Sequence, residues 1–299
     1  MGFLKIAVGI LLIAALTFAA LTAFGIWKWR GLTQALMERM EAARLAPEPA
    51  RFNAQEIEGL PPVVQRYFRT ALRDGVPIVA AATVQHSGTF NMGETVDNWK
   101  PFTSHQRVVT RRPGFVWDGH IHMLPGLGVR VHDAYVAGEG ILHPAILGLF
   151  TLMDLRGTGE VAEGELMRFF AETAWYPTAL LPSQGVRWQA VDEQSARATM
   201  TDGALSLTLT FTFNTEGLIE TVRADARGRT VAGKIDMRPW EGRWSNYQER
   251  EGMRVPLTGE VAWLLPPEEG GRKPYWRGTI QSLTYEFAPS YRSGQVKQP

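Results

Sequence analysis

Residues 205–213 read LSLTLTFTF, and this stretch decides the fold class. Leucine or phenylalanine occupies every odd position, and serine or threonine occupies every even one. Because successive side chains of a strand point to opposite faces of a sheet, this alternation predicts a strand with one buried face and one polar face. The stretch 196–201 alternates in the same way upstream, and 218–227 follows after a turn at 214–217. We therefore predict a three-stranded antiparallel meander.

The meander belongs to a longer β region that contains one helix. Further strands are predicted near residues 79–90, 104–111, 114–123, 128–137, 243–249, 257–265 and 276–287. A helix is predicted at 161–175. Its apolar face consists of Leu166, Phe169, Phe170 and Ala174. Its charged residues, Glu165, Arg168 and Glu172, are expected on the opposite face. The fold class is mainly β (α+β): a curled antiparallel sheet, or half-open β-barrel, around one helix.

The N-terminal segment predicts a transmembrane helix. Residues 6–27 contain no charged side chain, which is enough to cross the roughly 30 Å hydrocarbon core of a bilayer. Lys5 precedes this run, and Trp27, Lys28, Trp29 and Arg30 follow it as an aromatic and basic collar suited to lipid headgroups. A cleaved signal peptide is the alternative. The apolar run is longer than the roughly 7–15 residues of a signal-peptide core, and no clear cleavage site follows it.

The sequence predicts four parts. Residues 1–30 form the membrane anchor, 31–57 a stalk and linker, 58–289 the β-rich half-barrel domain, and 290–299 a tail. The stalk is expected to be helical, with an apolar stripe of Leu32, Leu36, Met40 and Ala43. A brief helix is expected at 61–72.

Two arguments on membrane orientation disagree. The basic residues after the span slightly favour a cytoplasmic domain by the positive-inside rule. A short N-terminus with Lys5 before a single early span instead looks like a signal anchor, which favours export. We predict a single-pass protein of the inner (cytoplasmic) membrane with an extracytoplasmic domain.

Composition excludes several function classes. The 299 residues include 31 Lys and Arg against 30 Asp and Glu, a net charge of +1. This balance argues against nucleic acid as a partner, because phosphate binding requires an excess of basic residues. Cysteine is absent, so disulfides, thiolate metal sites and a cysteine nucleophile are excluded. No cofactor is predicted. The sequence also has no nucleophile elbow, phosphate loop or zinc-protease motif, and no catalytic residue is assigned.

Three histidines provide the one enzyme-like hypothesis. A hairpin register that matches the apolar faces places His120 opposite His132 and His122 opposite Arg130. Three converging imidazoles can bind zinc and support hydrolase chemistry. Arg130 would oppose such a metal, so the preferred interpretation is a solvated polar face without metal.

Aromatic residues are the stronger candidates for function. Most of them must form the core, but a curled sheet can also enclose an apolar cavity, in which indole N–H and tyrosine O–H groups supply a few polar contacts. The predicted ligand-binding residues are Trp117, Phe170, Trp175, Tyr176, Phe211 and Trp240.

Four stretches resemble an uncharacterised bacterial family. They are GLPPVVQRYF (59–68), PGFVWDGHIHMLPGLGVRVHDAYVAGEG (113–140), GELMRFFAETAWYPTALLP (164–182) and PWEGRWSNYQEREGMRVPLTGEVAWLLP (239–266). Members of that family carry a domain of unknown function, often behind N-terminal membrane helices. The resemblance covers about residues 58–287 and implies no activity and no catalytic residues. More distantly, the layout is similar to the half-barrels that sort outer-membrane lipoproteins, which wrap a sheet round a helix and hold acyl chains. Their lipid-modified cysteine is missing here, so attachment must come from the N-terminal helix.

The resulting expectation is a membrane-anchored protein of the cell envelope that binds an apolar or lipid-like ligand without catalysis. Its expected partners are the lipid bilayer and a hydrophobic small molecule or acyl chain. The alternatives are a hydrolase that uses His120, His122 and His132, or an envelope scaffold without a ligand.

Overall fold

The computed structural model describes residues 2–93, 96–231 and 234–289. Its helices are α1 (Gly2–Ala42), α2 (Pro62–Ala71) and α3 (Glu160–Ala171). Its strands are β1 (Val79–Asn91), β2 (Trp99–Val109), β3 (Gly114–Leu124), β4 (Leu127–Val136), β5 (Glu139–Ile146), β6 (Phe150–Thr151), β7 (Leu155–Gly157), β8 (Arg187–Ala190), β9 (Ser195–Asp202), β10 (Leu205–Phe213), β11 (Ile219–Val231), β12 (Lys234–Arg250), β13 (Met253–Leu264) and β14 (Arg272–Phe287). They form one antiparallel sheet in the order β6-β5-β4-β3-β2-β1-β14-β13-β12-β11-β10-β9-β8, with β7 beside β5.

The predicted fold class is confirmed, and so is the meander, which is formed by β9, β10 and β11. In β10 the apolar side chains are buried on one face, as the alternation requires. Four strands were not predicted, β5 to β8. Three of them have only two to four residues, too few to show a period, and β5 is interrupted by Pro144. Strand β12 also begins at Lys234, well before the predicted start at 243.

The sheet curls around α3. The chain leaves β7 at one edge of the sheet and returns in β8 at the other, so α3 and the 3₁₀ turns after it cross one face. Helix α3 packs on β4 and β5 on one side and on β10 and β11 on the other. We call this face concave. It carries Leu209 and the main hydrophobic core, to which α2 also contributes.

Helix α1 lies against the opposite, convex face. Its buried residues after the apolar run are Trp29, Thr33, Leu36 and Met40. The spacing of four, three and four residues keeps these side chains on one side of a helix. Leu36 and Met40 pack into a second, smaller core formed by Ala81, Val109, Val116, Ala134, Val136 and Ile141.

The structure therefore changes two expectations about the N-terminus. Anchor and stalk are one unbroken helix, and the stalk residues lie on the domain. The buried side of the stalk helix also differs from the predicted apolar stripe, since Leu32 remains 37% exposed. Trp29, which was expected in the headgroup collar, is fully buried. A salt bridge between Glu41 and Arg107 (2.7 Å) attaches the end of α1 to β2.

The first half of α1 is exposed and apolar. Among the described residues it is the one helix long and apolar enough to cross a membrane, which is consistent with a membrane anchor or a signal sequence. The domain boundaries at 30 and 57 stay predictions. The predicted tail, 290–299, lies outside the described residues.

Candidate functional site

All six predicted ligand-binding residues lie in the main core, each at most 3% exposed. They belong to one continuous core, against which α3 packs, and one contact joins two of them directly. Phe170 faces Phe211 with ring centroids 5.6 Å apart, and the indole N–H of Trp240 donates to the Tyr275 hydroxyl at 2.9 Å. The hydroxyl of Tyr176 donates to the carbonyl of Phe169 at 3.1 Å. These side chains pack against each other and against the sheet.

Several polar atoms in this interior lack a hydrogen-bond partner among the described residues. They are the indole nitrogens of Trp117, Trp175 and Trp244 and Nε2 of His86. Trp175 lies at the centre, with its ring 5.0 Å from Trp244 and 4.8 Å from His86. Burial, and secondarily the positive charge of Arg168, lower the pKa of His86 to about 3, so its imidazole is neutral. Buried polar groups are nearly always paired, so these unpaired atoms, three of them on neighbouring rings, require an explanation.

Two glycines let tryptophan rings lie flat on the sheet here. A Cβ on Gly119 would be 2.0 Å from the Trp117 ring, and one on Gly278 would be 2.3 Å from the Trp276 ring. The same W-x-G spacing occurs at 117–119 and 276–278, so a repeated signal for this surface was present in the sequence.

The sequence pattern did not predict a buried group of charged side chains on the concave face. Arg168 was expected on the solvent side of α3, and this expectation is wrong. Its guanidinium forms salt bridges with Asp133 and with Glu172 (2.7 Å), and its side chain is only 14% exposed. Gln106 donates to the same Glu172 carboxylate at 2.6 Å. The physical reason is the curl of the sheet, which surrounds α3 on both sides and leaves its polar residues without solvent.

Two carboxyl groups in this charged group share a site. Burial, together with the neighbouring charge of Asp133, raises the pKa of Glu165 well above its usual value. Burial also opposes the charge on Asp133, but the nearby Arg168 guanidinium outweighs it, and the pKa of Asp133 is lowered. A neutral Glu165 can therefore donate its proton to Asp133, which supplies a partner for Oδ1 of Asp133 and Oε2 of Glu165.

The sequence contained a signal for this group. Asp133 continues the period-two series of Val129, Val131 and Tyr135, all of which are buried on the concave face. A charged residue in such a series must be buried with a partner, and α3 supplies it.

The predicted histidine register is wrong by two residues. In the structure His120 lies opposite Arg130, and His132 lies opposite Asp118. The turn at Pro125 and Gly126 pairs Leu124 with Leu127, and an irregularity between His122 and Leu124 joins this pairing to the register of the strands. Matching apolar faces left several even registers open, and the turn together with this irregularity selects one of them.

His132 takes part in the docking of α1. Its ring stacks on Trp29 with centroids 3.9 Å apart, and its Nε2 lies 2.7 Å from the Thr33 hydroxyl. The indole N–H of Trp29 donates to Asp118 at 2.8 Å. Burial, followed by the positive charges of His143 and two arginines, lowers the pKa of His132 to about 3. The hairpin face expected to be solvated is therefore partly covered by α1.

His120 and His122 lie apart from His132. Their rings are neighbours, with centroids 4.3 Å apart, at the end of the hairpin. Within the described ranges, no group of three histidine, aspartate or glutamate side chains is placed to hold a metal ion.

Two cavities open on the convex side. One of about 220 Å³ lies between α1 and the end of the β3–β4 hairpin, where it is bordered by His120, His122 and Arg130. A wider one of about 390 Å³ follows the strands beside it. Neither is lined by the six predicted aromatics.

Comparison with known proteins identifies the family. Residues 58–285 match the model of a family of unknown function, DUF6920, and the chain belongs to this family. No curated protein matches the sequence.

Two solved structures share features of the layout. A LolA superfamily protein from Nitrosomonas europaea is 10% identical with a TM-score of 0.40, over 80% of this chain and 96% of that one. A β-barrel-like protein of the domain of unknown function DUF1849 from Brucella abortus is 9% identical with a TM-score of 0.23, over 71% of this chain and 99% of that one. Neither similarity bears on ligand or mechanism.

Proposed function

We propose that this member of the DUF6920 family is a membrane-anchored protein that binds an apolar or lipid-like ligand, without catalysis, between the concave face of its sheet and α3. One observation carries the proposal: the unpaired indole nitrogens of Trp117, Trp175 and Trp244 and the unpaired imidazole nitrogen of His86 in the aromatic part of the interior. The polar group of a lipid-like molecule would supply hydrogen-bond partners to the neighbouring atoms of Trp175, Trp244 and His86 while its apolar part contacts the aromatic residues.

Access to this interior requires α3 to move. The described strands form an open sheet with β6 and β8 at its edges, and the segment from α3 to β8 crosses between them. That segment is held by contacts that can separate without breaking the sheet, including the salt bridges of Arg168. Displacement of α3 would expose the six aromatics to an incoming ligand.

The proposed location is the inner membrane, with the domain outside the cytoplasm. The contact between α1 and the convex face supports a retained helix, because Trp29 and Met40 are buried by the domain. The absence of cysteine makes the orientation measurable. A single cysteine placed at the exposed position Arg197 should react with a membrane-impermeant maleimide in cells with a permeable outer membrane. Labelling only after lysis would contradict export.

Ligand binding is tested on full-length protein purified in detergent. We expect native mass spectrometry to detect a bound molecule, and organic extraction to release a lipid-like species. Trp175→Phe keeps an aromatic side chain but replaces the indole by a phenyl ring, which has no N–H. The occupancy of the ligand should therefore fall about fivefold or more, as expected for the loss of a hydrogen bond of about 1 kcal/mol. Trp99→Phe is the matched control, since the Trp99 nitrogen is bonded to Asp97 outside the interior. Protein without any bound molecule, or equal occupancy in both variants, would contradict the proposal.

A further inference from the structure

The β3–β4 hairpin extends along the membrane segment of α1. A Cβ on Gly126 would lie 3.6 Å from the ring of Phe18, so the hairpin turn contacts that residue. Phe18 precedes the collar residue Trp27 by nine positions, which is about 14 Å along a helix. If α1 spans the membrane, as the proposed function requires, the turn enters the bilayer beside it.

The side chains at this end of the sheet suit such a position. Leu124, beside the hairpin turn, is 66% exposed, and Phe150, which follows the helix-contacting Leu149, is 58% exposed. The turn after β5 also contacts the helix, since a Cβ on Gly25 would meet the carbonyl of Leu147. Exposed apolar residues that flank a spanning helix can enter the bilayer without a desolvation cost.

The cavity between α1 and the turn end of this hairpin has an apolar part and a cationic part. Ile26, Leu127 and Leu147 form the apolar part of its lining. The Arg130 guanidinium supplies the charge in the cationic part, and the His120 imidazole is its direct cross-strand neighbour. Both parts border the same space of about 220 Å³.

Arg130 has no counter-charge here. Within the described residues, no carboxylate lies within salt-bridge distance of it, and its guanidinium donates no hydrogen bond to the protein. The nearby Asp118 accepts hydrogen bonds from Trp29 and Thr33 instead. A planar guanidinium left unpaired next to a membrane segment is well suited to bidentate binding of a phosphate group.

We propose that this cavity, the α1–hairpin cavity, binds the phosphate of an anionic phospholipid headgroup, with Arg130 as its principal ligand and an acyl chain along Ile26 and Leu147. The site is distinct from the concave interior, and it orients the domain with the hairpin end toward the bilayer. It rests on the membrane anchorage contained in the proposed function but not on the interior ligand.

His120 makes headgroup binding at this site dependent on pH. Burial, followed by the charges of Arg130 and His122, lowers the pKa of His120 to about 4, so at neutral pH the positive charge of the cavity comes from Arg130. A bound phosphate would raise that pKa, and headgroup binding should therefore strengthen as the pH falls.

The test uses the full chain in nanodiscs that contain phosphatidylcholine and phosphatidylglycerol. Native mass spectrometry after release counts the phosphatidylglycerol molecules that remain bound. Wild type should retain phosphatidylglycerol, and Arg130→Gln should retain about fivefold less, the effect of one arginine at a membrane surface. Arg130→Lys should restore part of the binding, which separates loss of charge from loss of folding.

Two controls separate this cavity from general attraction to the membrane. Lys28→Gln removes a charge of the collar, and Arg187→Gln removes one on β8, at the other edge of the sheet. Neither should change retention by as much as Arg130→Gln. An equal loss with Lys28→Gln, or no loss with Arg130→Gln, would overturn the proposal.

Inorganic phosphate distinguishes a lipid from a free ion. Millimolar phosphate should displace little phosphatidylglycerol, because the acyl chain adds apolar contacts that the ion lacks. Complete displacement would show that the lipid is not the ligand. Failure of the chain to insert into nanodiscs would contradict the anchorage, and this inference with it, but would leave ligand binding in the interior to be decided by extraction from detergent.

Discussion

The two faces of the sheet are packed in different ways. The concave face holds the main core, an aromatic interior in which α3 and its charged residues are enclosed. The convex face holds a core of eight buried residues, and within the described ranges α1 is the helix that lies on it. The concave face therefore stabilises the fold and offers an enclosed site, while the convex face attaches the membrane helix and stays partly open.

The largest effect is expected from a charge in the concave core. Leu209→Asp should lower the free energy of unfolding by several kcal/mol, because a carboxylate would be buried without a partner. Thr208→Asp, on the exposed side of the same strand, should change it by about 0.5 kcal/mol or less. Urea denaturation of the full chain in detergent measures both. Equal losses would mean that both faces of β10 are covered.

Next in size is the loss of the buried arginine. Arg168→Met should cost about 3–5 kcal/mol, because the carboxylates of Asp133 and Glu172 stay buried without their cation. Arg197→Met, at an exposed position on β9, provides the control. A cost below 1 kcal/mol on the same denaturation assay would mean that solvent reaches the pair, contrary to the enclosure of α3.

On the convex face the expected effect is smaller. Trp29→Phe keeps an aromatic ring on His132 but removes the hydrogen bond to Asp118, and should cost about 1–3 kcal/mol. Trp27→Phe, two residues earlier and 70% exposed, should cost almost nothing. If the two variants unfold alike, α1 does not dock on the domain, and the contrast between its two halves disappears.

The effect of Glu165→Gln depends on pH: it is the smallest of the series near pH 5 and grows as the pH rises. The pKa of Glu165 is raised in the folded state, so the folded protein binds more protons than the unfolded one at pH values above the ordinary glutamate pKa of 4.5. The free energy of unfolding of the wild type should therefore fall as the pH rises from that value toward the folded pKa. The slope for one proton is at most about 1.4 kcal/mol per pH unit.

Glutamine mimics the protonated acid, so the variant should lose this slope and match the wild type most closely near pH 5. Below that range the lowered pKa of Asp133 determines the pH dependence. The free energy of unfolding should then decrease as the pH is lowered, in both proteins. Identical profiles for wild type and Glu165→Gln from about pH 5 to pH 8 would mean that Glu165 is ionised in the fold.

Much of the fold was predictable because it depends on short-range periodicity. The alternation in 205–213 and the uncharged run 6–27 each specify an element through the local geometry of strand or helix. The six aromatics were predicted to line an apolar ligand site, and the structure places them in the main core. Whether they bind a ligand stays a prediction. A sequence pattern indicates which side chains are buried, but it does not indicate whether a cavity lies between them.

The tertiary structure decided which partners the polar residues have. Arg168 has the spacing of a solvated helix face, and only the curl of the sheet turns that face inward onto Asp133. Trp29 has the sequence context of a membrane collar, yet the packing of α1 on β3 and β4 buries it against His132. Local sequence determines which face of an element is apolar, because that depends on side chains a few residues apart. The partner of each charge depends on residues far apart in the chain, which only the packing of the helices on the curled sheet brings together.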